Sequence, residues 1–252
     1  MPTYTVLGSE ARQTWLAALL RESGKTVVHT SDPSVYGDLV ALPIPSVSPD
    51  GTLRGTELPL TDYLRAAPEG TVFWGVGLEK LREAAPRVRL YDYSEYEHFA
   101  EENAVPTAEG AIQLAMQELP VTIDGGQFLV IGFGRIGRQL ARRLADFGGR
   151  VTVARRFSSS LPYRTDITGA YRHPLSDYDA VFKTVPAPVL DAAQCAETRP
   201  DCLLIDLASA PGGICQTGGR AVIHALGLPA SVAPKSAAAI LRSIILTETE
   251  GF

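Results

Sequence analysis

The sequence has few of the residues that form disulfide bonds or bind structural metal ions. Only three cysteines and four histidines occur among 252 residues. The cysteines, Cys195, Cys202 and Cys215, have no C-x-x-C spacing. An odd number of cysteines without that spacing supports neither a disulfide framework nor a zinc site. We therefore expect a reducing compartment, thiols packed as small apolar groups, and no bound metal.

The chain also lacks long apolar runs and an excess of positive charge. No hydrophobic stretch approaches the roughly 18 residues of a membrane span. The opening MPTYTVLGSE has neither the basic nor the apolar region of a signal peptide. A formal charge of −5 gives no general attraction for nucleic acid or anionic membrane. We expect a cytoplasmic protein that binds neither, in which a local cluster of cations holds any anionic ligand.

Short apolar runs alternate with helical or polar stretches along the whole chain, which favours parallel sheets with crossover helices. In the first half, the pattern predicts strands at 3–7, 26–29, 39–44, 72–76 and 88–91, a helix at 11–21, and a hairpin or flexible loop at 43–59. In the second half, it predicts strands at 127–131, 150–154, 180–183, 202–207 and 221–224, and helices at 136–147 and 236–247.

The acidic segment 92–103 marks a shift in composition, which we interpret as a boundary between two lobes and a solvated face. A helix is expected to begin after Pro106, because Thr107 can cap it, and to end at Pro120. The predicted fold class is α/β. Residues 1–103 form a flavodoxin-like or Rossmann-like substrate lobe, and residues 104–252 form a dinucleotide-binding Rossmann domain. Linking helices at 104–119 and 236–247 lie around an interlobe cleft.

The sharpest motif is a G-x-G-x-x-G that leaves an apolar strand and opens an amphipathic helix. Gly132 turns the chain tightly, Gly134 lets the backbone approach a pyrophosphate, and Gly137 lets helix and strand pack closely. The helix begins with Arg135 and Ile136, and its N–H groups would face the phosphates. The motif predicts a dinucleotide site. The alternative is a tight turn without a ligand.

The end of the next strand indicates which dinucleotide binds. An NAD site places a carboxylate there, whereas this strand runs into Arg155 and Arg156, with Ser158 following. Guanidinium groups can pair with a 2′-phosphate that a carboxylate would repel. NADP is therefore favoured, with NAD as the alternative cofactor, unless the arginines form only a solvated basic turn. Later strand ends should add cofactor contacts from Thr184, Val185, Pro186, Leu207 and Ala208.

Five segments together resemble the dipicolinate synthase A subunit family in order and approximate spacing. They are GSEARQ at 8–13, NAVPTAEG at 103–110, GFGRIG at 132–137, LIDLASAPGG at 204–213 and GLPASVAPKS at 227–236. The resemblance implies a two-lobed architecture related to D-2-hydroxyacid and alanine dehydrogenases. It also implies an NADP-dependent oxidoreductase that forms pyridine-2,6-dicarboxylate from dihydrodipicolinate or its hydroxytetrahydro precursor. The implied setting is the mother-cell cytoplasm of a sporulating bacterium, where the chain works with a flavoprotein-like B subunit. We expect a homo-oligomer or a hetero-oligomer.

A dicarboxylate substrate requires at least two cationic or strong donor groups. Arg12 and Lys235 are the candidates, because both lie in family-like segments at expected helix starts, although Arg12 could be a surface helix arginine. Thr107 is either a helix cap or a site residue, and Glu109 either a first-turn carboxylate or a general base. Ser209 lies in a glycine-rich loop that could offer backbone N–H groups or form a plain turn.

Two other functions remain open on the sequence. One is a 2-hydroxyacid or 2-amino acid dehydrogenase on the same architecture, although the histidines show no matching arrangement for its acid–base chemistry. The other is a non-catalytic NADP-binding partner subunit, because a fold does not fix a function.

Overall fold

The computed structural model describes residues 2–157, 161–168, 171–208, 214 and 217–249. The chain divides into two compact units. One contains the residues up to Asn103 together with those from Ala233 onward, and the other spans Ala104–Val232. Within the described residues, no helix combines the length and hydrophobicity that crossing a bilayer requires.

The first unit is built on five parallel strands in the order β2-β1-β3-β4-β5, the strand order of flavodoxin-like folds. β3 and β4 are buried along their whole length, as expected for parallel strands covered on both faces. In chain order the elements are β1 Thr3–Leu7, α1 Ala11–Glu22, β2 Thr26–Thr30, β3 Leu39–Ala41, α2 Leu60–Ala66, β4 Val72–Gly75 and β5 Arg89–Asp92.

The next helix along the chain is α3, Glu97–Glu118, which contains Pro106 in its interior. The prediction that a helix begins after Pro106 is therefore wrong, and Thr107 does not cap it. Apolar contacts upstream explain why the helix starts earlier, since Phe99 stacks on Tyr93 with ring centroids 5.7 Å apart. Packing of this kind offsets the backbone hydrogen bond that an interior proline removes. Part of the acidic segment 92–103 is thus the first turns of α3.

The second unit is built on six parallel strands in the order β11-β10-β9-β6-β7-β8. If the strands β6 to β11 are renumbered 1 to 6, their order from the β8 edge of the sheet is 3-2-1-4-5-6. This is the strand order of dinucleotide-binding Rossmann domains. In chain order the elements are β6 Gln127–Ile131, α4 Arg135–Asp146, β7 Arg150–Arg155, β8 Arg164–Ile167, β9 Ala180–Lys183, α5 Ala192–Glu197, β10 Leu203–Asp206, β11 Val222–His224 and α6 Leu228–Val232.

The last helix, α7 at Pro234–Thr249, packs on the first sheet. Its Ile244 and Ile245 share a buried core with Leu16 and Leu20 of α1, while α2 covers the opposite face of that sheet. The sequence-based division grouped this helix with residues 104–232. The structure groups it with the first unit instead, because its apolar side is buried against α1.

α7 and α1 both begin at the edge of the first sheet where its strands end. α1 follows directly from β1, so its start lies at that edge. α7 ends at the opposite edge, because the hydroxyls of Thr249 and Tyr4 are 3.4 Å apart and Tyr4 lies near the start of β1. Lys235, at the start of α7, lies over the ring of Trp15 in α1. The carboxyl edge of this sheet therefore receives two helix N-termini.

The two-sheet α/β class is confirmed, and the predicted strands agree with those observed to within a few residues. Two antiparallel bridges close the loop at 43–59, Val47 to Leu53 and Thr52 to Pro59. Strand β8 was not predicted, because its sequence RTDI has one apolar residue and no alternating pattern.

Candidate functional site

The glycine motif forms the turn between β6 and α4. Gly132 has a φ of 103°, and a Cβ there would clash with the Thr184 hydroxyl and the Val185 side chain. A Cβ on Gly137 would clash with the carbonyl oxygen of Gly132. The backbone of α4 therefore lies in contact with the backbone that follows β6. Both positions require glycine for the reasons that the motif predicts.

Gly134 has a different environment, because no atom lies within 4 Å of a Cβ placed on it. It precedes the first residue of α4 and makes no side-chain cap. The first N–H groups of a helix have no partner within the helix, and they carry the positive end of its dipole. Open space above such a terminus is where a pyrophosphate binds in Rossmann domains.

A cavity of about 520 Å³ opens at this turn. It lies where β6 and β9 end side by side, the point at which the strand order reverses and where open α/β sheets bind ligands. Its lining comprises Gly132, Phe133, Gly134, Arg155, Arg156, Phe157, Thr168, Val185, Pro186, Ala187 and Val189. Three groups that the sequence placed at strand ends thus line one cavity. They are the glycine turn, the arginine pair and the segment after β9.

The segment after β9 is fixed by hydrogen bonds. The backbone N–H and the hydroxyl of Thr184 donate to the Ile131 carbonyl at 2.9 and 3.0 Å. The fully buried Lys183 donates from Nζ to the Val185 carbonyl at 2.6 Å. Sequence analysis missed Lys183, and the only available signal was a charged residue closing the apolar strand AVFK. These bonds hold Val185 and Pro186 against the glycine turn.

Two arginines and two aromatic rings form the opposite side of the cavity. The Arg155 guanidinium carbon is 5.9 Å from the Phe133 ring centroid, and that of Arg156 is 6.0 Å from the Phe157 ring centroid. Phe157, which also lines the cavity, is 72% exposed. Neither phenylalanine was singled out from the sequence.

No carboxylate lies among the described residues that line this cavity. An acidic residue in register with the end of β7 is Asp166, opposite Ala154. It is buried and accepts hydrogen bonds from the backbone N–H groups of Arg172 and His173 at 2.9 and 3.3 Å. His173 Nδ1 lies 3.0 Å from the same carboxylate. The charge of Asp166 is therefore engaged away from the cavity.

Other predicted cofactor residues lie outside the described lining. Leu207 and Ala208 are buried, and the Ala208 N–H donates to Asp206 at 3.0 Å. Arg135 and Ile136 begin α4 directly after the lining residue Gly134. Ser158 and Ser209 lie outside the described residues.

Thr107 and Glu109 occupy the interior of α3 rather than a helix start. Thr107 is buried. Glu109 is more than half exposed, with Oε1 3.5 Å from Nε of Arg143 on α4. Glu109 is therefore not a first-turn carboxylate, and its ion pair with an arginine favours a surface role over that of a general base.

Arg12 and Lys235 both lie at the carboxyl edge of the first sheet. Arg12 is only 5% exposed, so it is not the surface helix arginine of the alternative interpretation. Its Nη2 donates to the Ile44 carbonyl at 2.6 Å. Burial lowers the pKa of this guanidinium, and the neighbouring Glu10 acts in the opposite direction. Lys235 is exposed, with Nζ 4.7 Å from the centroid of the Trp15 ring.

The described residues contain no group of three or more His, Cys, Asp or Glu side chains arranged to hold a metal ion. Burial raises the pKa of the Cys195 thiol, and raises that of Cys202 to about 12. Such thiols are protonated near neutral pH and have little nucleophilic character.

Comparison with known proteins agrees with this geometry. The family described as D-isomer specific 2-hydroxyacid dehydrogenase, NAD binding domain, matches residues 97–213. That match covers the glycine motif and both arginines. It supports a nicotinamide dinucleotide as the cofactor class and an oxidoreductase-like fold.

Three matches to dipicolinate synthase A subunits, one to a sequence and two to solved structures, cover most of the chain. The protein of Bacillus subtilis (strain 168) that is named as the A subunit of dipicolinate synthase is 33% identical over 227 residues, which is 82% of this chain and 76% of the relative. The structure of the A subunit from Bacillus halodurans has a TM-score of 0.83 at 26% identity and covers 98% of this chain and 97% of that chain. The structure of the Bacillus subtilis enzyme's A chain has a TM-score of 0.78 at 27% identity and covers 98% and 95%. The chain belongs to the dipicolinate synthase A subunit family.

Proposed function

We propose that this chain is the NADP-dependent subunit of a dipicolinate synthase and that it forms pyridine-2,6-dicarboxylate from dihydrodipicolinate or its hydroxytetrahydro precursor. One observation carries the proposal. The cavity at the strand-order reversal has bare glycine backbone at one side, two guanidinium groups at the other, and no carboxylate in its described lining. A phosphorylated dinucleotide matches all three properties.

The residues present fit that cofactor. Gly134 leaves open space at the N-terminus of α4 for the pyrophosphate. Val185 and Pro186, fixed by Thr184 and Lys183, form an apolar wall. When bound, NADP⁺ supplies the acceptor for a hydride. The protein supplies the position of the cofactor and a site that holds the substrate carboxylates.

The preference for NADP over NAD rests on Arg155 and Arg156. A 2′-phosphate can accept bidentate hydrogen bonds from guanidinium groups, and an adenine ring can stack on them or on the exposed Phe157. A carboxylate that accepts ribose hydroxyls is the NAD alternative, and the candidate near this strand end, Asp166, is buried and engaged by backbone N–H groups.

The reaction removes two hydrogens from a dihydropyridine. One carbon–hydrogen bond gives up its electron pair as a hydride, and a second hydrogen leaves as a proton, which makes the ring aromatic. A hydroxytetrahydro precursor first loses water. We propose that Arg12 and Lys235 belong to the substrate site, because both cations lie at an edge where two helices begin.

The Bacillus subtilis relative is named as one subunit of its enzyme, and on this basis we also propose a partner subunit. We expect this chain to work with a flavoprotein-like B subunit in the cytoplasm of a sporulating cell, as part of a homo- or hetero-oligomer.

The experiment that tests the proposal supplies freshly generated precursor from the lysine-pathway synthase, together with NADP⁺ and both subunits. NADPH absorbance should rise in step with dipicolinate measured by chromatography. Omitting this chain should abolish both signals. Dipicolinate without NADPH, or neither signal with both subunits present, would contradict the proposal.

A second candidate is a 2-hydroxyacid dehydrogenase, which the family match at 97–213 favours. The same assay with small 2-hydroxyacids in place of the precursor separates the two. NADPH formation from 2-hydroxyacids alone would favour this candidate. Cofactor binding without turnover on either substrate would favour a non-catalytic partner subunit.

A further inference from the structure

Two guanidinium groups in the first unit share one carboxylate. Glu10, the residue before α1, lies with Oε1 2.8 Å from Nε of Arg54 and with Oε2 3.6 Å from Nη2 of Arg12. Each carboxylate oxygen thus faces a different arginine. The cluster contains two positive charges and one negative charge, so it retains a net positive charge.

Arg12 is incompletely satisfied in this arrangement. Its Nε is buried and has no hydrogen-bond partner, while its Nη2 donates to Ile44. A guanidinium has five N–H donors, and leaving one of them buried and unpaired costs free energy. Buried polar groups without a partner are few in native proteins, and a functional role is one of the reasons for which they are retained. The nearby Tyr93 hydroxyl is also buried without a hydrogen-bond partner, and it acts to raise the pKa of Arg12 against the larger effect of burial.

The backbone of Arg54 is fixed by contacts within its loop. The preceding Leu53 is fully buried, and the Arg54 N–H donates to the Ser46 carbonyl at 3.0 Å. The Val47 to Leu53 bridge closes the loop on itself. The Arg54 side chain is nevertheless 45% exposed, so part of its guanidinium faces solvent while its backbone is fixed.

The cluster lies where the strand order of the first sheet reverses. β1 pairs with β2 on one side and β3 on the other. Glu10 and Arg12 follow the end of β1, and Ile44, Ser46 and Arg54 follow the end of β3. The crevice outside such a reversal is the general ligand site of open α/β sheets.

We propose that Arg54 is a carboxylate-binding residue of the substrate site, and that Glu10 holds it beside Arg12 so that the two guanidiniums receive the two carboxylates of one dicarboxylate. This inference rests on the proposed function. It gives the loop at 43–59 a role in substrate choice, since Arg54 would distinguish dicarboxylates from monocarboxylates.

Selectivity is the expected signature of this role. Without the Arg54 guanidinium, a dicarboxylate leaves one carboxylate unpaired, while a monocarboxylate can still bind Arg12. A change that merely perturbed the fold would weaken both ligands alike. A loss of general positive potential would weaken the dianion only by about the square of the factor for the monoanion, because the interaction scales with ligand charge.

The test measures binding of pyridine-2,6-dicarboxylate and pyridine-2-carboxylate by calorimetry, with NADP⁺ present at saturation. Arg54→Ala should weaken the dicarboxylate about 30-fold and the monocarboxylate less than about threefold. Arg54→Lys should give an intermediate loss, because lysine keeps the positive charge but lacks the paired N–H donors of a guanidinium. Arg87→Ala is the matched control, since Arg87 also pairs with a glutamate, Glu69, at 3.2 Å in the same unit.

Arg87→Ala should leave both affinities unchanged. Equal losses for the two ligands in Arg54→Ala, or no loss for either, would overturn the role of Arg54 while leaving the proposed function intact. Failure of the unchanged protein to bind pyridine-2,6-dicarboxylate would overturn the inference and count against the proposed function as well.

Discussion

Gly134 and Gly137 lie one helical turn apart, and alanine at each should have a different effect. A Cβ at Gly137 meets the Gly132 carbonyl oxygen, so Gly137→Ala should lower the unfolding free energy by more than about 2 kcal/mol. A Cβ at Gly134 meets nothing within 4 Å. Gly134→Ala should therefore cost less than about 1 kcal/mol of stability and still weaken dinucleotide binding at least tenfold.

Denaturant unfolding and calorimetric titration of the two variants measure these effects. Normal dinucleotide affinity in Gly134→Ala would contradict the assignment of the open space at the start of α4 to a pyrophosphate.

Individual site residues differ in how far the sequence predicts them. The glycines and the arginine pair were predictable, because their roles depend on neighbours close in the chain and on strand ends. The burial of Arg12 and the bond from Lys183 to Val185 depend on tertiary packing. Arg54 was not singled out, because its glutamate partner lies 44 residues away.

α3 packs on α6 through a glycine. A Cβ on Gly110 would lie 3.0 Å from the Leu228 Cβ and 3.2 Å from the methyl groups of Val232. Gly110→Val should therefore lower the unfolding free energy by about 2 kcal/mol through overpacking. The matched control is Gln113→Val, which places the same side chain at an exposed position of α3. By helix propensity alone, Gly110→Val would be slightly stabilising and Gln113→Val slightly destabilising. Chemical denaturation compares the variants, and a cost at Gly110→Val no larger than that at Gln113→Val would contradict the packing contact.

At the scale of elements, strands and helices with a clear apolar period were predicted well and those governed by packing were not. β6 and β9 match their predicted bounds because each contains an uninterrupted apolar run, at 128–131 and 180–182. α3 was placed too late, since a local rule about Pro106 was outweighed by aromatic contacts upstream. α7 was grouped with the second unit, because sequence order does not show which sheet buries its apolar side.

For the molecule as a whole, buried acidic groups predict a loss of stability in alkaline solution. Burial raises the pKa of Cys202 from 9.0 to about 12, and also raises those of Cys195, Tyr63 and Tyr93. Above about pH 9 the unfolded chain releases protons that the folded chain keeps, so the unfolding free energy falls as the pH rises.

Cys202→Ala should make this decline shallower between about pH 9 and pH 11, because one of the contributing groups is gone. Urea unfolding at a series of pH values measures the slope. An identical slope in the variant would show that the Cys202 thiol does not contribute.

The central claim concerns one half of the molecule, the dinucleotide cavity at the end of the second sheet. Its most direct test is calorimetric titration of NADP⁺ and NAD⁺ into the unchanged protein and into the Arg155→Ala, Arg156→Ala double variant. Arg150→Ala is the matched control, because Arg150 is an exposed arginine at the opposite end of the same strand, β7.

We predict that the unchanged protein binds NADP⁺ more tightly than NAD⁺. The double variant should lose about 100-fold in NADP⁺ affinity and less than about threefold in NAD⁺ affinity, since charge-assisted bonds to the 2′-phosphate are removed. Arg150→Ala should change neither. Equal losses for the two dinucleotides, or no binding of either to the unchanged protein, would contradict the account.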